Sequence, residues 1–321
     1  MKNIEMNIEL QRFRELSGYI EENINRVMIG KKNVIKLLLI ALTAGGHVLI
    51  EDVPGIGKTT LVSALAESLS LSFKRIQFTP DLMPSDVTGF NLFNQKTGEF
   101  EFQPGSVMSQ IVLADEINRT SPKTQAALLE VMQENQVTVD GVSYQVPQPF
   151  IVLATQNPVD HVGTYPLPEA QLDRFMLKID LGYPTITEEV EILELYSDDS
   201  EIPSLDGVAD SEDVIWMRDQ VQLVHCAKSV MYYISELTAA TRRHPDIKLG
   251  ASPRASKMLM QAAKSHALLL GREYVRPDDV QALALNVLSH RITLNPESRL
   301  KRITEEDAIN SVLKQVPIPE K

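Results

Sequence analysis

Apolar residues in the first two thirds of the chain fall into short runs separated by helical stretches. The runs His47–Ile50, Phe73–Thr79, Ile111–Ala114, Phe150–Thr155 and Met176–Leu181 are largely unbroken by polar positions. That character predicts strands buried on both faces, as in a parallel sheet with crossover helices. Ahead of them Leu10, Phe13, Leu16, Ile20, Ile24 and Val27 recur at helical spacing and predict an amphipathic helix. Two stretches alternate apolar and polar residues instead: Phe90–Phe102 around Lys96-Thr97-Gly98, and Gln136–Val146 around Asp140-Gly141. Both predict β-hairpins, the second through a two-residue turn that needs positive φ. Beyond residue 213 strand signals stop. Ser252-Pro253, Arg276-Pro277-Asp278-Asp279 and Thr304-Glu305-Glu306-Asp307 each set a cap, a first-turn proline or first-turn carboxylates at a helix start. The expected organisation is an α/β domain over 1–187, with hairpin inserts near 90–103 and 136–146. An acidic segment over 188–213, linker or start of the lid, then leads into an all-helical domain over 214–321.

Composition narrows the classes. The 321 residues are 43% hydrophobic and 23% charged, which excludes whole-chain disorder. Cys226 is the single cysteine, so no internal disulfide and no cysteine-based zinc site can form. The six histidines show no paired-ligand spacing. The start carries Glu5 and Glu9 in place of an apolar signal core. The most apolar stretch, Val34–Ile50, is broken by Lys36 and Gly45-Gly46-His47, short of the ~20 residues of a membrane span. No transmembrane segment and a cytoplasmic location are the expectation.

Charge matters through its placement. Of the net −12, residues 188–213 hold eleven acidic groups and no basic one; the chain before them sums to −6 and the chain after to +5. The acidic run is expected to be a solvated linker.

The densest chemistry lies in Glu51–Thr60 (EDVPGIGKTT), between a strand and a helix expected over Lys58–Leu69. This is a phosphate-binding loop of the GxxxxGK[ST] type, with Asp52 where the first glycine is expected. Within Val53, Pro54, Gly55, Ile56 and Gly57 the two glycines keep side chains out of the way, so consecutive backbone N–H groups from Gly55 onward can point toward β- and γ-phosphates at a helix N-terminus. Lys58 reaches the phosphate oxygens, and the Thr59 hydroxyl, followed by Thr60, ligates Mg²⁺. Ile111–Glu116 (IVLADE) ends an apolar strand in two carboxylates, which are costly there unless a cation or an acid–base task holds them. In a nucleotide site Asp115 holds Mg²⁺, partly through water, and Glu116 polarises the attacking water. Phe150–Asn157 (FIVLATQN) ends similarly, and Asn157 could hydrogen-bond the γ-phosphate or the attacking water, or simply form a turn with Pro158.

Together these stretches resemble the AAA+ ATPases, and more closely the MoxR family. The resemblance spans Val27–Ile292 and rests on VMIG (Val27–Gly30), EDVPGIGKT, LADEINRTSPKTQAALLEVMQE, ATQNP, YPLPEAQLDRF and GASPRA in that order. It implies a P-loop core with a parallel sheet, two hairpin inserts (before the first sensor and within the second helix) and a C-terminal helical lid. It also implies ATP and Mg²⁺ as ligands. Ile29 and Gly30 would lie on the adenine side, Asp115 and Glu116 would form the Walker B pair, and Asn157 would be the first sensor. Arg174, in LDRF, matches the arginine finger that completes a neighbour's site; a surface ion pair with Asp173 or Glu169 is the plainer alternative. Arg254 matches the second sensor. It follows Ser252-Pro253 at a helix start, where a cation opposes the helix dipole by ~0.3–1 kcal/mol unless an anion sits opposite.

The implied function is ATP-driven remodelling or maturation of a partner protein by a ring, a hexamer by resemblance, with a von Willebrand factor A domain protein as partner. A metal-chelatase-type motor subunit and a nucleic-acid motor of the same clade remain alternatives; a small-molecule kinase fits the helical domain poorly. A nucleic-acid path needs basic hairpins. Residues 79–110 carry Lys96 against Asp81, Asp86, Glu99 and Glu101, and residues 135–149 carry no basic group. DNA or RNA is therefore expected to leave the ATPase rate unchanged at physiological salt. A rise of about tenfold or more, the scale set by phosphate contacts, would favour the nucleic-acid motor.

Overall fold

The computed structural model describes residues 2–51, 53, 55–157, 164–195 and 204–319. Helices α1 (Lys2–Asn25) and α2 (Lys32–Ala44) precede β1 (Val48–Glu51), and α3 (Lys58–Ser68) leads to β2 (Phe73–Gln77). A short α4 (Pro84–Thr88) opens the hairpin β3 (Gly89–Asn94) and β4 (Glu99–Pro104), followed by β5 (Ile111–Asp115) and α5 (Pro122–Glu134). The second hairpin, β6 (Gln136–Val139) and β7 (Val142–Gln145), precedes β8 (Ile151–Gln156), α6 (Glu169–Leu172) and β9 (Leu177–Ile179). Helices α7 (Ile186–Leu195), α8 (Ser211–Leu223) and α9 (Lys228–Thr241) follow. After a short β10 (Ile247–Leu249) come α10 (Pro253–Leu269), α11 (Pro277–Leu288), β11 (Thr293–Leu294), α12 (Pro296–Leu300) and α13 (Glu305–Gln315).

The five runs of the sequence analysis are the five strands of one sheet, in the order β2-β5-β8-β1-β9, each pair parallel. Their side chains divide by alternation. Val48, Ile50, Ile111, Leu113, Ile151, Leu153, Leu177 and Ile179 join one apolar cluster with α1, α2, α3 and the C-terminal helices. Leu49, Val112, Ala114, Val152 and Ala154 face the other way, onto α5. The inner strands β1, β5 and β8 have both faces covered and no polar face to show, which is why their sequences lack alternation. The edge strand β2 departs from that expectation, with Lys74, Arg75 and Gln77 exposed around the buried Ile76.

Hairpin turns follow the rule that set them. Asp140 and Gly141 both have positive φ, +50° and +82°, matching the right-handed twist of the flanking strands. The two hairpins lean on each other through Phe102 stacked on Tyr144, ring centroids 3.8 Å apart, and Asn91 Nδ2 donating to Asp140 at 2.7 Å.

Two expectations are revised. The C-terminal region is not free of strands: β10 and β11 pair antiparallel, too short for any alternation to register. The acidic run is not one solvated linker either. Its first part lies in α7, and Glu212 and Asp213 lie in the first turn of α8, capped by Asp210. Carboxylates suit helix N-termini, so the charge that reads as linker is partly capping. Residues 196–203 of that run lie outside the described residues.

The C-terminal helices do not hang loose. Arg218 of α8 donates to the carbonyl of Leu42 at 2.9 Å and of Phe150 at 3.1 Å, closing the ends of α2 and the start of β8. Burial lowers its guanidinium to about 10, which leaves it charged. None of the described helices is long and apolar enough to cross a membrane.

His47, just before β1, locks sheet to α5. Its Nδ1 accepts the Val152 N–H at 3.0 Å while Nε2–H donates to the Met132 carbonyl at 3.0 Å, an arrangement that needs a neutral ring. Burial lowers its pKa from 6.5 to about 4, against a smaller raising effect of the Met132 carbonyl. The unfolded chain therefore takes the proton first. The ring's contribution is full above pH 6.5 and is lost as pH falls toward 4, about 2 kcal/mol by pH 5. Urea unfolding at pH 7 and pH 5 should show this loss, and His47→Gln, which keeps a donor and an acceptor without titrating, should show a shallower one; equal slopes would refute the assignment.

Candidate nucleotide site

In a parallel sheet the carboxyl ends of all strands open onto one edge, where ligands of such folds bind. Four strand ends converge there. A cavity of about 420 Å³ is lined by Gly55, Gly57, Lys58, Thr59 and Thr60 after β1, Asp115 and Glu116 at the end of β5, and Asn157 beyond β8. Arg75, Gln77 and Thr155 complete it. Gly57 has φ +87° and is the N-cap of α3; a side chain there would be strained, so glycine lets the backbone turn with its N–H groups free to face an anion.

A second cavity, about 500 Å³, lies on the far side of the same loop. Val27, Met28, Ile29, Ile56, Ile192 and Leu195 give it an apolar lining, with Tyr183 and Glu189. Gly55, Gly57 and Thr60 line both cavities, so a ligand with phosphates on one side of the loop can lay an apolar base on the other. Gly30 sits beneath α7: a Cβ on it would come within 2.0 Å of the Glu188 carboxylate. Gly30 also has φ +75°, a conformation that a side chain would strain, so glycine suits the turn and leaves room for Glu188 against the backbone. Val53 is described nearby, while Pro54 lies outside the described residues. A roomier hollow, about 1240 Å³ between α1, α2, α10 and α11, contains none of these groups.

The carboxylates are wired, not merely adjacent. The Thr155 hydroxyl donates to Asp115 Oδ1 at 2.6 Å and accepts the backbone N–H of Glu116 at 2.9 Å. Arg75 donates Nε–H to Asp115 Oδ2 at 3.1 Å. Gln77 donates to Glu116 Oε2 at 2.9 Å, and Arg119 pairs with the same oxygen at 3.2 Å. Glu116 itself is left-handed, φ +56° and ψ +49°. A non-glycine residue pays for that conformation; here it turns the Glu116 side chain from the strand into the cavity. At the head of the loop Glu51 pairs with Lys178 of β9 at 2.8 Å and accepts from the Gln156 amide.

Thr59 and Asp115 line the same cavity. One hydroxyl and one carboxylate fit Mg²⁺, which takes few protein ligands and fills its octahedron with phosphate oxygens and water.

Not every predicted residue is in this cavity. Arg174 and Arg254 line neither side of it. Arg174 is half-buried, donates to the Leu129 carbonyl of α5, and keeps a buried Nε without a partner. Arg254 is exposed in the first turn of α10. Sequence reasoning missed Arg75, Gln77 and Thr155. Arg75 and Gln77 alternate with the buried Ile76 on β2, and polar residues at the end of an apolar run were the available signal.

The family model described as ATPase family associated with various cellular activities (AAA) matches residues 47–177, and the AAA lid domain model matches 239–312. The chain is 54% identical to the uncharacterized protein YeaC of Bacillus subtilis, over 95% of each chain. It is 40% identical to Chaperone MoxR1 of Mycobacterium tuberculosis, over 92% of this chain and 81% of that one. A crystal structure of a candidate ATPase from Cytophaga hutchinsonii superposes with a TM-score of 0.93 at 40% identity, covering 100% of both chains.

The geometry separates two roles that a loss of activity alone would merge. Glu116→Gln is expected to bind ATP as the parent does and to turn it over about 10²–10⁴-fold more slowly, the scale of general-base loss. Lys58→Ala is expected to lose binding. Titration with a fluorescent ATP analogue beside a phosphate-release assay reads both, and parental turnover in Glu116→Gln would remove it from the base role.

Proposed function

The chain belongs to the MoxR family of AAA+ ATPases, and from that premise we propose that it works as a ring whose active sites are each built by two subunits. One subunit supplies the phosphate loop, Asp115, Glu116 and Asn157. The next supplies Arg174 and Arg254. The observation that carries this reading is strand direction. The nucleotide cavity lies past the carboxyl ends of β1, β5 and β8. Arg174 lies just before β9, where Met176 N–H bonds the carbonyl of His47, at the amino end of β1. At about 3.3 Å per residue the strands alone hold the two edges more than about 10 Å apart. Arg254 belongs to the same amino-end region, because Ser252, the cap of its helix, bonds Asp173. A surface Arg174–Asp173 pair is disfavoured as well, since Asp173 already pairs with Arg291 at 3.0 Å.

Bound Mg²⁺ would supply charge neutralisation between the phosphates and orient them. Lys58 binds the phosphate oxygens, Thr59 and Asp115 hold the ion, Glu116 takes the proton of the attacking water, and Asn157 orients that water. We divide the chain into a nucleotide-binding domain (1–187) and a helical lid (214–321), and read the ring as a cytoplasmic hexamer.

The output we infer is chaperone-like remodelling or maturation of a protein, with a von Willebrand factor A domain protein as the partner class. Exposed Phe90, Leu92, Phe93 and Phe100 on the β3–β4 hairpin support a protein client, and the shortage of basic groups there argues against nucleic acid.

If Arg174 acts across the interface, specific activity climbs with protein concentration and a dilute subunit is nearly silent, since a finger is worth ~10³–10⁵ in rate. Mixing offers the sharper test. Arg174→Ala and Glu116→Gln subunits are each expected to be inactive alone and to regain part of the activity together. No recovery would return Arg174 to a structural role within its own chain.

A further inference from the structure

The segment that carries Arg174 is held by a lid residue, Arg291, to which the proposed mechanism gives no task. Arg291 ends the 3-10 turn after α11, and its side chain is 1% exposed. Its guanidinium spans the backbone on both sides of Arg174. Nε donates to Asp173 Oδ1 at 3.0 Å, Nη1 donates to the Met176 carbonyl at 3.1 Å, and Nη2 donates to the Phe175 carbonyl. Asp173 is gripped from a second side: the Ser252 hydroxyl lies 2.9 and 3.1 Å from its two oxygens. His290 adds Nε2–H to the Phe175 carbonyl at 3.0 Å, and burial keeps that ring neutral.

Burying a guanidinium is costly, and apolar side chains usually fill such space with equal or better stability. What the cation adds is geometry: a planar fork fixes several acceptors at once. Burial draws Arg291 down to about 10, against the raising effect of Asp173, and Arg254 is near enough to lower it further. The fork therefore stays charged at neutral pH.

We propose that Arg291 is a positioning residue for hydrolysis in the neighbouring subunit. It fixes the Asp173–Met176 backbone so that Arg174 meets the adjacent nucleotide, and through Asp173 and Ser252 it sets Arg174 and Arg254 as one unit anchored on the lid. The role rests on the trans reading above. It acts at the amino ends of the strands, so a subunit lacking it keeps its own nucleotide cavity intact.

Arg291→Met in the full chain tests this. The expected result is a kcat at least tenfold lower, with KM and the affinity for a fluorescent ATP analogue within about threefold of the parent, because only the exported half-site is disturbed. Mixing with Glu116→Gln subunits should then restore activity, since an intact cavity faces a neighbour's intact Arg174. A merely structural defect would not be relieved in this way. Arg291→Lys, which keeps the charge but not the fork, should recover less than threefold of the loss. If Arg291→Met does not fold, Asp173→Ala removes the acceptor from the other side and should show the same split and the same relief. Parental kcat in these variants overturns the role. So does a loss that Glu116→Gln subunits fail to relieve while they do relieve Arg174→Ala. If Arg174→Ala is itself not relieved, the trans reading falls first and this role falls with it.

Discussion

All five strands of the central sheet point the same way, and most of the rest follows from that constraint. Parallel pairing requires a crossover for every strand, so both faces are covered and every carboxyl end opens onto one edge. The phosphate loop, the Asp115–Glu116 pair and Asn157 are far apart in sequence and meet because each sits just past a strand. The same direction sends the start of β9, and Arg174 with it, to the opposite edge.

At the carboxyl edge, hydrogen bonding sets what the charges can do. Thr155 binds both members of the acidic pair, one through its hydroxyl proton and one through its oxygen. Glu116 leaves the strand in a left-handed conformation while Asp115 stays in register with Gln77. Two neighbouring carboxylates thereby face different partners. Arg75, Gln77 and Arg119 occupy the acceptor oxygens around them, so an incoming metal or water must displace or join an existing network, not fill a bare acidic hollow.

At the amino edge the lid is part of the α/β core. The apolar cluster runs without a break from the sheet through α1 and α2 into α8, α10 and α11. Arg218 and Arg291 are both drawn down to about 10 by burial and both spend their donors on carbonyls of the other layer. One buried and one partly buried cation joining the same layers make the lid's position a matter of matched geometry, since a small displacement leaves a charge without acceptors.

The sequence by itself determined the five strands, the two hairpins with the Asp140-Gly141 turn, the capped helix starts and the identity of the phosphate loop. Each of these is a local matter of period, φ preference or capping chemistry within a few residues. It also located Lys58, Thr59, Asp115 and Glu116, because their spacing along strand and helix is local too. It misread the acidic run, whose carboxylates divide between α7 and the first turn of α8, since charge looks the same on a linker and at a helix N-terminus. Strand order, the entry of Arg75, Gln77 and Thr155 into the cavity, the close seat of Glu188 on Gly30 and the grip of Arg291 on Asp173 were decided only by the tertiary structure. Those contacts join residues as much as 158 positions apart, Gly30 and Glu188, and no local preference encodes which buried group will find which distant partner.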